Sequence, residues 1–439
     1  MKVIILTDFV SYVPGYSLWS CVENQCRMLE LHGDNEVTLL VNKNFKGECP
    51  VNVKIKKVIP TCKQWDYKSE QDLNSEHKRF ATRLSKILIE ELKDCDICIT
   101  HDRVFLGWAL PYFLALEKCK EQTRSTLFLH QIHSMPRDVK DWWDLNRLGT
   151  QNHKLVSMTE ATRPLMATSY KTTIDNVLVI PHITDIRVFA DFCDETWHII
   201  DQIPALLEAN IVCIYPASSD RLQPKRVAAC MAIMSAFKRR SQSVCLFIAN
   251  QWARGSTGRS LNHFTTEQGA PIDTSLSIHR ELATSLVPEL DYGKDFIFSS
   301  DIFYPKYKHG LPKRVIRELM MCSNLFMFPT FEESWGLVSV EAALMGNYMV
   351  INGDVPVLRE AMNNFGHYES FGGVSNILDI PPEEQPFYFD KIAGEIKEKM
   401  FSNPIVQTKT WARQHLNMGA IWLDYYEPIF DKWKDGKGL

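Results

Sequence analysis

The segment PTFEESWGLVSVEAALMG, residues 329–346, holds two carboxylates eight positions apart, Glu333 and Glu341. Glu333 falls in a loop and Glu341 about a turn inside the helix that follows, so both can face a ligand seated at the helix start. A carboxylate oxygen accepts hydrogen bonds, which suits the paired hydroxyls of a hexose or a ribose. Gly336 removes a Cβ where backbone must come close. The N–H groups of Leu337 and Val338 open the helix without intrahelical partners and can meet a phosphate oxygen. The set fits a sugar nucleotide.

Cations that could hold a diphosphate follow another apolar run: Arg221, Lys225 and Arg226 in SDRLQPKR, residues 219–226. In the first half, the run TLFL at 126–129 leads into His130, delivering an imidazole to the end of a strand, with His133 three positions on as the alternative. The H-x-x-H spacing invites a metal, but no zinc set forms from the cysteines: Cys95 and Cys98 would face opposite sides of a strand, Cys21 and Cys26 opposite sides of a helix. The expected metal set is none. The twelve cysteines read as reduced, buried thiols.

Positioning such residues takes alternating strands and helices. Strand-like runs at 2–7, 36–41, 96–100 and 126–129 alternate with amphipathic stretches such as 20–31, the pattern of parallel βαβ units. The pattern lapses over 190–208 and restarts at 211–215. Strands are then expected at 244–249, 295–298, 325–329 and 348–352, with helices at 313–321 and 337–345. The fold class is α/β, with two Rossmann-like doubly wound domains and ligands at the carboxyl ends of the strands across a cleft. Residues 1–190 form the first domain and 205–405 the second. Residues 406–439, rich in Trp and Tyr at helical spacing, form a closing helix that crosses back to the first domain.

Composition agrees. The 439 residues are too many for one small module, and 45% hydrophobic against 23% charged residues build a sizeable core. The net charge of −4 excludes a strongly basic nucleic-acid protein but leaves room for a local basic groove. Asp8 interrupts the opening apolar run, and the longest one, 104–116, is too short to span a bilayer, so a cytoplasmic location is expected.

The string at 329–346 resembles the E-x7-E signature of retaining glycosyltransferases of the GT-B fold, family 4 in particular, with Trp335 where Phe is usual. The resemblance implies that Glu333 contacts donor-sugar hydroxyls and Glu341 the nucleotide ribose. It gives Arg221 the donor diphosphate and leaves the second cation to Lys225 or Arg226. It sets His130 beside the transferred sugar, and Gly15, in a loop where the family has a Gly-Gly pair, against phosphate and acceptor, with Tyr16 and Trp19 narrowing that pocket or stacking on the acceptor. Pro181-His182 and Asp185 stand where Pro-Asn and Asp are usual at the end of the family's first domain.

The implied reaction retains anomeric configuration without a metal: the departing phosphate takes the acceptor proton and the cations stabilise the leaving group. The donor is a nucleotide sugar, UDP-sugar being common in the family, used as co-substrate with no cofactor. The acceptor is a glycan or lipid-linked sugar. The alternative is a hydroxymethylated pyrimidine in duplex DNA, because 351–360 resembles phage-borne DNA-modifying members, which would work in the host cytoplasm. Lys78, Arg79, Arg83 and Lys86 would share one helix side, Lys54, Lys56 and Lys57 cluster, and Arg137, Lys140 and Arg147 interleave with Trp142 and Trp143, Trp142 serving as a base-flipping wedge. Against it, residues 1–190 hold 25 basic and 23 acidic side chains. A protein that binds a nucleotide sugar without turnover is the reading of another class.

Overall fold

The computed structural model describes all residues except 14, 48–51, 63–68, 106–108, 135–141, 252–278, 282, 284–286, 304–309, 372–383 and 437–438. The chain divides into two compact units, one of Met1–Asp185 with Leu416–Leu439 and one of Ile186–His415.

Seven strands build the first unit: β1 (Lys2–Leu6), β2 (Glu36–Asn42), β3 (Lys54–Ile59), β4 (Ile97–His101), β5 (Leu127–Gln131), β6 (His153–Ser157) and β7 (Val177–Val179). They form one parallel sheet in the order β3-β2-β1-β4-β5-β6-β7. Chain order reverses at β1 and β4. Strands covered on both faces need continuous apolar runs, and β4 and β5 are buried at every position.

The second unit repeats the plan with β8 (Ile211–Ser218), β9 (Val244–Gln251), β10 (Phe296–Phe298), β11 (Leu325–Phe328), β12 (Tyr348–Asn352) and β13 (His367–Glu369). Its parallel sheet runs β10-β9-β8-β11-β12-β13, reversing at β8 and β11. These two strands register at Cys213 with Leu325. A parallel sheet whose order reverses in this way presents its ligand crevice at the carboxyl ends of the two strands. Each unit is therefore Rossmann-like.

The segment 190–208, where the alternation lapses, belongs to the second unit. It forms helices Asp194–Gln202 and Ala205–Glu208, whose Ile199, Ile200 and Leu206 enter the second unit's core. The closing segment is not one helix from 406. The helix Pro404–His415 stays in the second unit, where the Arg413 guanidinium donates to the carbonyls of Leu206, Leu207 and Ala209 at 2.5–3.1 Å. Asn417 then caps a new helical stretch. From there the chain belongs to the first unit: the Met418 N–H donates to Asp185 Oδ2 at 3.0 Å, and Trp422 packs so closely on Gly33 that a Cβ there would stand 2.5 Å from the indole. Among the described residues, no helix is long and apolar enough to cross a membrane.

Candidate functional site

In the second unit the sequence-predicted residues gather where the strand order reverses. A 3-10 turn, Ser219–Arg221, follows β8 directly, and the chain enters the helix Val227–Arg239 through Arg226, whose φ of +49° lies in the left-handed region. The loop after β11 is tied to this one: the Phe331 N–H donates to the Pro224 carbonyl at 2.9 Å. Two loops from neighbouring strands thus form one surface.

Across it, Lys225 Nζ donates to Glu333 Oε2 at 2.5 Å, with both side chains less than one-fifth exposed. Burial alone would raise the Glu333 carboxyl. The Lys225 hydrogen bond and charge outweigh that, helped by the Ser334 N–H and by Arg221, and the carboxyl ends below its ordinary range. The Lys225 ammonium also lies 5.0 Å from the Phe328 ring centroid. Arg221 stands 3.8 Å from Glu332 and is 43% exposed, leaving much of its guanidinium facing solvent. Arg226 is 5% exposed. It donates to the Pro329 carbonyl at 3.4 Å and stacks over Phe331, and burial lowers its basicity. Lys225 thus pairs with Glu333, while Arg226 braces the two loops.

Gly336 heads the helix Leu337–Leu344 at φ +82°, and a Cβ there would stand 2.8 Å from Leu358 Cδ2. Positive φ and close packing together call for glycine. The N–H groups of Leu337 and Val338 begin this helix and have no intrahelical acceptor. Trp335 is half exposed and Leu337 69% exposed. Glu341, one turn in, pairs with Lys313 Nζ at 2.6 Å.

Sequence reasoning missed Lys313 as a site residue, since it sits in an ordinary amphipathic helix. It also missed Asn250. From the end of β9, the Asn250 amide donates to Ser219 Oγ at 2.9 Å and to Ser300 Oγ at 3.0 Å, and its carbonyl oxygen accepts from the Ser300 N–H. This buried amide fixes the turn that carries Arg221. A lone Asn closing an apolar run was the available signal.

The first unit corrects several expectations. His130 lies inside β5 at 1% exposure, its Nδ1 bonded to Thr100 Oγ1 at 2.8 Å and its Nε2 to His153 Nδ1 at 3.0 Å. Burial pushes it down to about 3. The strand runs one residue further than expected, so the ring that opens at the carboxyl edge is the half-buried His133. His130 and His133 consequently make no H-x-x-H metal pair. Gly15 stands in a turn before the helix Ser17–Leu31 with nothing within 4 Å of where its Cβ would be, and its neighbour Pro14 is outside the described residues. Tyr16 is exposed. Trp19 is not available to an acceptor: it is 1% exposed, stacked on Phe9 at 4.2 Å, and its indole N–H donates to the Ser11 carbonyl.

The basic clusters divide. Lys78, Arg79, Arg83 and Lys86 are exposed on the helix Ser75–Glu91 and, with Thr82, line one shallow depression. Arg147 is used internally, donating to Glu117 and Glu70. Lys56 pairs with Glu91 and Lys57 donates to the Phe45 carbonyl. Trp142 and Trp143 are 6% exposed and packed into the core, which removes Trp142 as a wedge; Arg137 and Lys140 lie outside the described residues.

No protein-family model and no curated protein matches the sequence. Among solved structures, the chain is similar to a glycosyltransferase from Rickettsia africae ESF-5, at 13% identity over 99% of this chain and 98% of that one, with a TM-score of 0.35. It is similar to the N-terminal domain of Candida albicans trehalose-6-phosphate phosphatase, at 10% identity over 98% and 96% of the chains, with a TM-score of 0.36. It is also similar to Anabaena HepE in complex with UDP and glucose, at 13% identity over 98% and 100%, with a TM-score of 0.32.

Proposed function

We propose that this protein is a retaining glycosyltransferase of the GT-B type that moves a sugar from a nucleotide sugar, UDP-sugar first among them, to an acceptor hydroxyl. One observation carries the reading: Arg221, Lys225 and Glu333 meet at the crevice where the second sheet reverses order, beside a helix start that Gly336 leaves open. Crevices of this kind bind nucleotides, and two cations with free backbone N–H groups suit a diphosphate. As the glycosidic bond opens, negative charge grows on the leaving nucleoside diphosphate. Arg221 and Lys225 stabilise it, Glu333 holds the departing sugar's hydroxyls, and Glu341 the ribose. The leaving phosphate takes the acceptor proton, so neither His130 nor another side chain is assigned as base, and no metal is assigned to this step.

For the acceptor, a glycan or lipid-linked sugar is the first reading. Hydroxymethylated duplex DNA is the second, supported by the exposed cations along one side of the helix Ser75–Glu91. The deciding experiment offers UDP- and GDP-sugars with simple glycans and with hydroxymethylcytosine DNA, following nucleotide release and product configuration. Transfer with retention is expected from one pairing, with most turnover lost in Arg221→Ala. No release from any donor would leave only a nucleotide-sugar binder, and near-normal rates in Arg221→Ala would remove that residue from the site.

A further inference from the structure

A second cluster of chemically capable side chains lies in the first unit, apart from the residues assigned above to the donor. Cys21 on the helix Ser17–Leu31, His133 after β5 and His182 after β7 bring one thiol and two imidazole nitrogens to within 4.8 Å of one another. His133 Nδ1 and His182 Nε2 face each other at 3.4 Å with their rings nearly parallel. Two nitrogens bound to one tetrahedral zinc ion stand roughly 3.3 Å apart. That edge of a coordination shell is already in place.

The surroundings prepare it. Gln25, one turn beyond Cys21, accepts from His101 Nε2 at 3.0 Å. His101 Nδ1 is then an acceptor, so His133 Nε2 carries the hydrogen of their 2.9 Å bond and His133 Nδ1 presents a lone pair toward His182. Asn24 donates to the Ile183 carbonyl at 3.1 Å, fastening the loop of His182 to the helix of Cys21. Asp102, at φ +55°, accepts from the His133 N–H at 2.7 Å and adds negative charge beside the cluster.

We propose that Cys21, His133 and His182 bind one divalent transition metal, zinc by the softness of the set, with the fourth position left to water or to an oxygen ligand. On binding, the Cys21 proton leaves to solvent and the thiolate joins two neutral imidazoles; closing the triangle takes a side-chain adjustment of about 1 Å. The proposal is independent of the glycosyltransferase reading.

The test titrates the metal-free full chain with cobalt(II), then zinc(II). Expected are one cobalt per chain, a sulfur-to-cobalt charge-transfer band in the near ultraviolet, and the intense visible absorption of a four-coordinate ion, all displaced by zinc. Cys21→Ser loses the sulfur band, while Cys193→Ser in the second unit keeps it. His133→Ala and His182→Ala weaken cobalt binding by about 100-fold or more. A wild-type spectrum without a sulfur band, or one whose band survives Cys21→Ser, overturns the site. A wild-type spectrum without the band overturns the site without any variant, so a misfolded variant cannot rescue the proposal.

Discussion

At the residue scale the pair of Lys225 and Glu333 makes a prediction that needs no substrate. The folded carboxyl titrates below its ordinary 4.5. A carboxyl with a depressed folded value contributes stability that is present above the unfolded value and lost as pH falls through the folded one. Lys225→Met removes the cause, so the urea midpoint of the second unit should lose its acid step below pH 4.5, worth on the order of 1 kcal/mol for one well-placed pair. Superimposable pH profiles for wild type and variant would show that Lys225 does not govern Glu333. Residue types at this site were legible because the loop after β11 carries them in one short string. The Lys225 contact was less so: it joins positions 108 apart, and spacing along a chain does not report such a distance. Cys21, His133 and His182 were illegible for the same reason, each coming from a different element.

At the scale of elements, strands buried on both faces announce themselves as apolar runs, and β8, β9, β11 and β12 lie where the runs are. Four strands escaped: β6, buried at every position but opened by His153 and Lys154, and three that the rule does not cover. β3, KIKKVI, is an edge strand with partly exposed lysines, and β7 and β13 have three residues each, too short for a period to register. The helix Leu337–Leu344 was legible as a helix, but its entry geometry was visible only as a glycine. Gly336→Ala tests that entry. A side chain held at φ +82° against Leu358 should cost about 1–3 kcal/mol in urea unfolding of the second unit. Nucleotide-sugar affinity should fall with it, because Leu337 and Val338 lose their aim. An alanine variant of unchanged stability would mean that the turn relaxes to negative φ, and the argument for an obligatory glycine would fail.

For the whole molecule, the division of buried chemistry between the two units sets an order of acid unfolding. The boundaries at 185 and 415 were not legible from the sequence, since the strand–helix alternation lapses over 190–208 while the apolar residues there pack on the second core. The first unit buries His130 and His153 as neutral rings stacked with Phe128. Around them stand Thr100 on β4 and Phe105, and Lys120 further opposes charge on His153. Burial depresses both histidines, His130 to about 3 and His153 well below its ordinary 6.5. The unfolded chain therefore binds protons between pH 6.5 and 3 that the folded unit refuses, and stability must fall as pH drops through that window. On the described strands of the second unit, His367 stands edge-on to Tyr348 and differs in pairing with a carboxylate, Glu369. Hydrogen exchange of metal-free protein, read strand by strand after incubation from pH 7 down to 4, should show β4, β5 and β6 losing protection before β8, β9 and β11. Loss of protection in the second unit first, or in both at one pH, would mean that carboxylates and not the buried imidazoles set the acid limit.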